Sequence, residues 1–391
     1  MTTADPRAYA NRLERLLPEM LGLTERIVNI DSGSHDAAGV NAVADEIQRA
    51  LEALSFSVER RPLDGRGDQL TATLEIGHGP ALLILGHGDT VWPAGTVAEW
   101  SYCHRNGRLE GPGVGDMKSC LVTAIYALRV LLEYGDVRLG SIRYLLVPDE
   151  ELGSAGSRAW IEDEARSADV CLALEAGAPG GGVVTSRGAV GALILKARGI
   201  SAHCSSDAGG ASAVAALAPL VTGLEALSQP DSGVRISVGI FRGGSARQVV
   251  PDRAELHLDI RAPDDATTAA AIADVEDVVA RVDLPAGVRI ELEGGIMRPA
   301  FPRSVGTRGL YRAWAELGAA LEAPVFEMHE RGSSDGSFAA ALGVPTLDGV
   351  GPLCHESCSR REWVEIDSMV ERGALVAALA AALAEGTVEM A

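Results

Sequence analysis

Residues 81–91 read ALLILGHGDTV. A short apolar run ends in a turn carrying a histidine and an aspartate. With no polar residue alternating into it, such a run is a strand covered on both faces. SIRYLLVP (141–148) and DVCLALE (169–175) repeat the pattern. Between the first two strands, Lys118–Leu132 carries apolar residues at helical spacing, as do residues 8–30 and 39–55. Buried strands alternating with helices predict an α/β sheet packed between helices.

Outward from this core the pattern changes. From 189 to 296 the order is strand (189–200), helix (208–228), strand (234–242), strand (249–262), helix (264–282) and strand (287–293). That order is the split β-α-β-β-α-β motif, a small domain in its own right. Helix and short strand then alternate again over 306–321, 324–328, 334–342 and 344–348, with a terminal helix from 366. The chain therefore reads as one discontinuous domain, 1–188 plus 297–391, with a second domain, 189–296, inserted into it. The Ala-rich stretch Met369–Leu383, interrupted by Glu371 and Arg372, reads as a packed surface helix.

Composition narrows the function classes. The 34 Lys and Arg against 54 Asp and Glu give a formal net charge of −20. Nucleic acid and anionic membranes both reward clustered cations, so neither is an expected partner. No apolar stretch approaches the roughly 18 residues of a membrane span. The start MTTADPRAYANRLERLLPEM is not built like a secretory signal. Six cysteines (Cys103, Cys120, Cys171, Cys204, Cys354, Cys358) form no CxxC pair. Reduced thiols and a cytoplasmic location are the expectation.

The chemistry gathers where strands end. His87 and Asp89 follow the first strand at i and i+2, and so face the same way in extended chain. Asp149-Glu150-Glu151 follow the second, and Glu175 ends the third. Asp116 leaves the Gly-rich turn GPGVGDMK (111–118), and His355 lies in a loop after 344–348. Ligands of open α/β sheets bind at these carboxyl ends. Singly, His87 reads as a core histidine and residues 149–151 as the acidic start of a helix. Together the acids repel one another and call for cations. Imidazole with carboxylate suits zinc and similar ions, and this many acids suits a hydrolytic pair of ions.

With these motifs assembled, the sequence resembles the co-catalytic di-zinc aminoacylase and glutamate carboxypeptidase family, most of all its carboxypeptidase G-type branch. The resemblance rests on HGDTV (87–91), GPGVGDMK (111–118), DEELGSAGSR (149–158), LEAG (174–177), ISAH (200–203) and GPLCHES (351–357), in order along the chain. It implies a phosphorylase/hydrolase-like mixed-sheet catalytic domain with an inserted ferredoxin-like α+β lid and dimerisation domain. Two divalent ions are implied, zinc first, with manganese or cobalt as alternatives. His87 and Glu175 would hold one ion, Glu151 and His355 the other. Asp116 would bridge them, followed by a cis peptide to Met117. Glu150 would be the general base, and Asp89 would orient His87. His203 would donate to the oxyanion, from the partner subunit of a homodimer. Arg261 and Arg298 would hold the substrate carboxylate in bidentate fashion, with Gln248 and the Gly332–Gly336 loop, Gly332 and Ser334 above all, lining the pocket.

The sequence departs from the family at Gln248, where many relatives have Asn, and at Ser119-Cys120, where they often have Gly-Gly. Cys204 and Cys354 are unusual neighbours for His203 and His355; the expectation for both is a small buried thiol rather than a metal ligand. The leading expectation is a hydrolase that cleaves an amide C–N bond beside a free carboxylate and releases an amino acid such as glutamate. The alternative keeps the metal site but deacylates an N-acyl amino acid, or acts on an aromatic amine; an apolar or aromatic pocket would favour it. A binding protein that has lost catalysis would lack the base or a ligand, and none is missing.

Overall fold

A computed structural model describes residues 5–134, 137–206 and 209–390. It divides into two compact units. One comprises the chain up to Ser186, Pro302–His329 and the residues from Ser334 on; the other comprises Arg187–Phe301 and Glu330–Ser333.

The larger unit is built on an eight-stranded mixed sheet. Ser57–Arg61 and Gln69–Glu75 form an antiparallel edge. Ser141–Val147, Ala81–His87, Val170–Ala173 and Thr346–Asp348 then run parallel at the centre. Gly182–Arg187 and Phe326–Glu330 complete the order. Side chains of the central strand alternate between two cores. Leu82 and Ile84 join the layer formed with helices Pro6–Val28, Ser119–Glu133 and Ile366–Ala384, whereas Leu83 and Leu85 join Trp160, Ile161 and Phe338 on the other face. Both faces being dry explains the missing polar alternation that marked this strand in the sequence.

The terminal helix corrects the surface reading. Ile366–Ala384 is buried along nearly its whole length, packed against Pro6–Val28, Ser119–Glu133 and Val305–Leu321. Its alanines let three helices approach closely, and a helix apolar all round belongs inside. Arg372 is buried too, donating to the carbonyls of Gly351, Gly182 and Gly349. Those bonds turn a charge that looked like a surface marker into an internal strut.

A small sheet was not legible in the sequence. Cys354–His355, Trp363–Glu365, Arg108–Glu110 and Cys103–Arg105 pair antiparallel in that order. Segments of two or three residues carry no periodicity to read.

The smaller unit is a four-stranded antiparallel sheet in the order Arg235–Gly243, Arg253–Ala262, Ala189–Arg198, Arg289–Arg298. Leu193, Leu195, Leu256 and Leu258 pack with Leu217, Leu220, Ala271 and Val275 of helices Ala213–Glu225 and Asp265–Ala280. Ser212 and Asp264 cap those helices through the amides of Ala215 and Thr267. Position 208, where the sequence reading starts the first of them, lies outside the described residues. Ala202–His203 and Val249–Val250 form a separate short pair.

Candidate active site

The site is assembled at the carboxyl ends of the parallel strands. His87 closes its strand fully buried. Its Nδ1 lies 2.9 Å from the carbonyl oxygen of Asp89 and 3.4 Å from that residue's Oδ1, which directs Nε2 at Asp116 Oδ1, 3.1 Å away. Burial alone would push the imidazole down, but the bonds to Asp116 and Asp89 outweigh it and the net shift is well upward.

Asp89 does more than orient a ring. Its carboxylate accepts from Ser34 Oγ at 2.6 Å and from the backbone amides of Glu150 at 3.1 Å and Glu151 at 3.2 Å. One buried acid therefore fixes the imidazole and the two-acid turn together. Neither Ser34 nor this link to the turn was anticipated from the sequence.

Asp116 follows Gly113, at φ 69° in the left-handed region, and Gly115, where a side chain would collide with Cys354 Sγ. The Asp116–Met117 peptide is cis. While Oδ1 faces His87, Oδ2 accepts from Ser357 Oγ at 3.1 Å and Cys358 Sγ at 3.2 Å. Burial raises this carboxyl, yet His87, Cys358 and Ser357 hold it below the usual range. Behind it, Glu362 accepts from the amides of Gly115 (2.7 Å) and Asp116 (3.2 Å) on one oxygen and of Cys358 (3.2 Å) on the other. Burial pushes Glu362 up to about 7. Lys118 is buried, donates to Ile30 O at 2.7 Å, and is pushed down by that burial to about 7.

Among the described residues, His87, Asp116 and Glu151 bring one ligand atom each within 4.8 Å of one another. Glu151 Oε1 is buried and has no hydrogen-bond partner. Burial, then the charge of Asp116, pushes Glu151 up to about 8. Burial, then Asp116 and Glu150, pushes Glu175 well up. An orphaned carboxylate oxygen beside an imidazole and a second carboxylate is a donor set that fits a divalent ion. Glu150 and Glu175 line a cavity of about 10 Å³ against His87 and Met117, room for a single water.

Folded metal-free protein keeps the Glu151 proton up to about pH 8, while an unperturbed carboxyl releases it near 4.5. The folded state thus binds more protons between those values, and its stability falls as pH rises through them. Zinc should therefore raise the Tm of chelator-treated protein more near pH 8 than near pH 5; an increment independent of pH would contradict this assignment.

The structure does not bring His355 into the His87–Asp116–Glu151 group. Its Nε2 lies 2.7 Å from Glu365 Oε1, and its ring stacks on Trp363 at 3.8 Å and 5°. Arg108 also lies over that indole, its guanidinium carbon 3.9 Å from the ring centroid. Cys358, three residues on, is on Asp116 instead. The H-x-x-C spacing of 355–358 was the available signal for it.

The remaining candidates lie as follows. His203 is exposed, with Nδ1 2.7 Å from Ser205 Oγ, and Cys204 N donates to the Gln248 carbonyl. Cys204 is exposed on this short loop pair, not the buried thiol expected, whereas Cys354 is buried. Arg261 and Arg298 are both cross-strand neighbours of Val190, one on either side. Arg261 is paired with Asp259 through bonds of 2.7 and 2.8 Å, and Arg298 is buried. Gly332 O accepts from Arg187, and Ser334 is buried with its hydroxyl on Asp348 at 2.5 Å. Beside Glu151 opens a cavity of about 460 Å³ walled by Val91, Trp92, Pro93, Ala94 and Leu152.

The peptidase family M20/M25/M40 model matches residues 83–382, which span every strand-end residue just described. The chain belongs to this family. It is a metal-dependent hydrolase, and the His87–Asp116–Glu151 cluster is a possible seat for its metal. Carboxypeptidase G2 of Pseudomonas sp. (strain RS-16) is 28% identical over 380 residues, covering 94% of this chain and 90% of the relative. A succinyl-diaminopimelate desuccinylase of Gluconacetobacter diazotrophicus is 29% identical, covering 71% and 76%. Among solved structures, an M20 family metallo-carboxypeptidase from Sulfolobus solfataricus superimposes with TM-score 0.74 at 17% identity over 94% of this chain and 99% of that one. This confirms the fold: a family catalytic domain with an inserted α+β domain. No helix among the described residues is long and apolar enough to cross a membrane.

Proposed function

We propose that the chain is a di-metal hydrolase that cleaves an amide C–N bond adjacent to a free carboxylate and releases an amino acid, in the manner of a glutamate carboxypeptidase. The observation that carries the reading is Asp116, whose two oxygens face His87 on one side and the Ser357–Cys358 loop on the other. That is the posture of a carboxylate shared between two ions. His87 and Glu175 would hold one; the resemblance puts Glu151 and His355 on the other. Zinc suits this set first, with manganese or cobalt as alternatives. Bound there, divalent ions would polarise the amide carbonyl and supply a water acidified to near neutral pH.

The chain's own residues do the rest. Glu150, fixed through its amide on Asp89, takes the proton of the attacking water and passes it to the leaving nitrogen. His203 serves as the oxyanion donor, contributed across a homodimer formed by the inserted domain. Arg261 and Arg298, level with each other across Val190, clamp the substrate carboxylate as a pair, and Gln248 with the Gly332–Ser334 loop completes that end. The expected location is the cytoplasm.

A second reading has an observation in its favour. The wall of Val91, Trp92, Pro93, Ala94 and Leu152 beside Glu151 suits an apolar or aromatic acyl group. It favours N-acyl amino acid deacylation, or action on an aromatic amine, by the same centre. A hydrolysis screen with Zn²⁺, Co²⁺ or Mn²⁺ separates the two. It should span dipeptides, N-acyl amino acids, N-aroyl-glutamates and amino-aromatics. Turnover confined to substrates that leave a free amino acid carboxylate supports the first reading; turnover of amines without a carboxylate supports the second; none on any amide contradicts both. Arg298→Ala should raise KM for carboxylate substrates by about 10- to 100-fold, as expected for loss of a charge-assisted pair, and an unchanged KM removes Arg298 from the pocket.

A further inference from the structure

We propose that the smaller unit carries a second binding site, for a phosphate-bearing anion, in the cavity walled by Lys196, Arg198, Arg242 and Arg253. None of these residues belongs to the amide-hydrolysing set, and the site does not rest on the two-metal reading.

The cavity measures about 430 Å³, the size of a small-molecule site. Strand register sets its cations. Arg253 is the direct cross-strand partner of Arg198, and Arg198 is that of Arg289 on its other side. Like charges in one row of a sheet repel one another. In the next row Arg242 is paired in register with Glu255, and Glu255 with Lys196. Gly243, Gly244 and Ser245 form a further wall, where the lack of bulk leaves main chain open to a ligand.

The acids nearby are engaged elsewhere. Glu255 lies 3.1 Å from His257, Glu293 takes Lys196 at 2.6 Å, and Glu291 takes Arg289 at 3.4 Å. Among the described residues, Arg198, Arg242 and Arg253 have no ion pair or side-chain hydrogen bond. The wall holds four cations against two acids, Asp252 and Glu255, in a chain whose net charge is −20. Phosphate suits this arrangement. One bidentate arginine fills a carboxylate, whereas the oxygens of a phosphate accept from several forks at once. Cross-strand partners hold their Cβ atoms about 5 Å apart, which lets Arg198 and Arg253 share one phosphate. This is not the proposed carboxylate clamp. Arg261 and Arg298 flank Val190, eight residues along the same strand from Arg198, about 26 Å at the usual rise.

Calorimetric titration of the metal-loaded full chain at low salt, with inorganic phosphate, pyrophosphate, ribose 5-phosphate and acetate, tests this. The phosphates should bind saturably and more tightly than acetate. Ribose 5-phosphate bound more tightly than inorganic phosphate identifies the phosphoryl group of a larger molecule as the ligand; the reverse order identifies the free ion, and either supports the site. Arg198→Ala and Arg253→Ala should each weaken binding by about 10- to 100-fold, as for loss of a charged hydrogen bond, with amide hydrolysis at the wild-type level. Arg242→Ala, exposed near a strand end, gives the same reading should either variant fail to fold. Asp116→Asn should bind phosphate as wild type does, because phosphate held by catalytic ions would be lost with them. Binding that survives all three arginine substitutions, binding lost in Asp116→Asn, acetate bound as tightly as phosphate, or no binding at about 10 mM overturns the proposal.

Discussion

Glu150→Ala should lower kcat by about 10²- to 10⁴-fold, the usual weight of a positioned general base, while leaving metal content unchanged. The reason lies in how the two-acid turn is held. Asp89 accepts from the amides of both Glu150 and Glu151, so the backbone is fixed without the Glu150 side chain. Among the described residues, Glu151 belongs to the group that could hold an ion and Glu150 does not. Removing the side chain should strip a proton carrier and no ligand. Turnover near wild type would exclude Glu150 as the base. A lost ion would move it from base to ligand.

Asp116→Asn should cost more. Its oxygens face His87 on one side and Ser357 and Cys358 on the other, so both halves of the site depend on one side chain. An amide keeps the shape but supplies only one oxygen and no charge. Metal content should fall below one ion per chain. Activity should drop by at least about 10³-fold, since several kcal/mol of transition-state stabilisation go with the ions. Circular dichroism checks that the fold survives; full occupancy and full turnover in this variant would refute the bridging role.

What the sequence could tell follows from where each residue's constraint lies. Ala81–His87 was legible because burial on both faces leaves its mark in the strand itself. Ile366–Ala384 was misplaced because small side chains and one arginine look like a surface helix, while the three carbonyls that satisfy Arg372 come from distant segments. The site shows the same division. Strand ends announced His87, Glu151 and Glu175, and the Gly-rich turn announced Asp116. Nothing local announced Glu362, which acts through backbone amides 246 and 247 residues away. The GPLCHES motif marked His355, but side-chain direction on a two-residue strand depends on its cross-strand partner Trp363. The net charge of −20 is an expectation about the surface, yet several of its acids face inward on one another.

Metal analysis of the purified, dialysed chain reads directly whether Asp116 shares a pair of ions. Close to two zinc or cobalt ions per chain are expected, removed together with amide hydrolysis by a chelator and restored with it. A protein that is fully active with one ion per chain would contradict it.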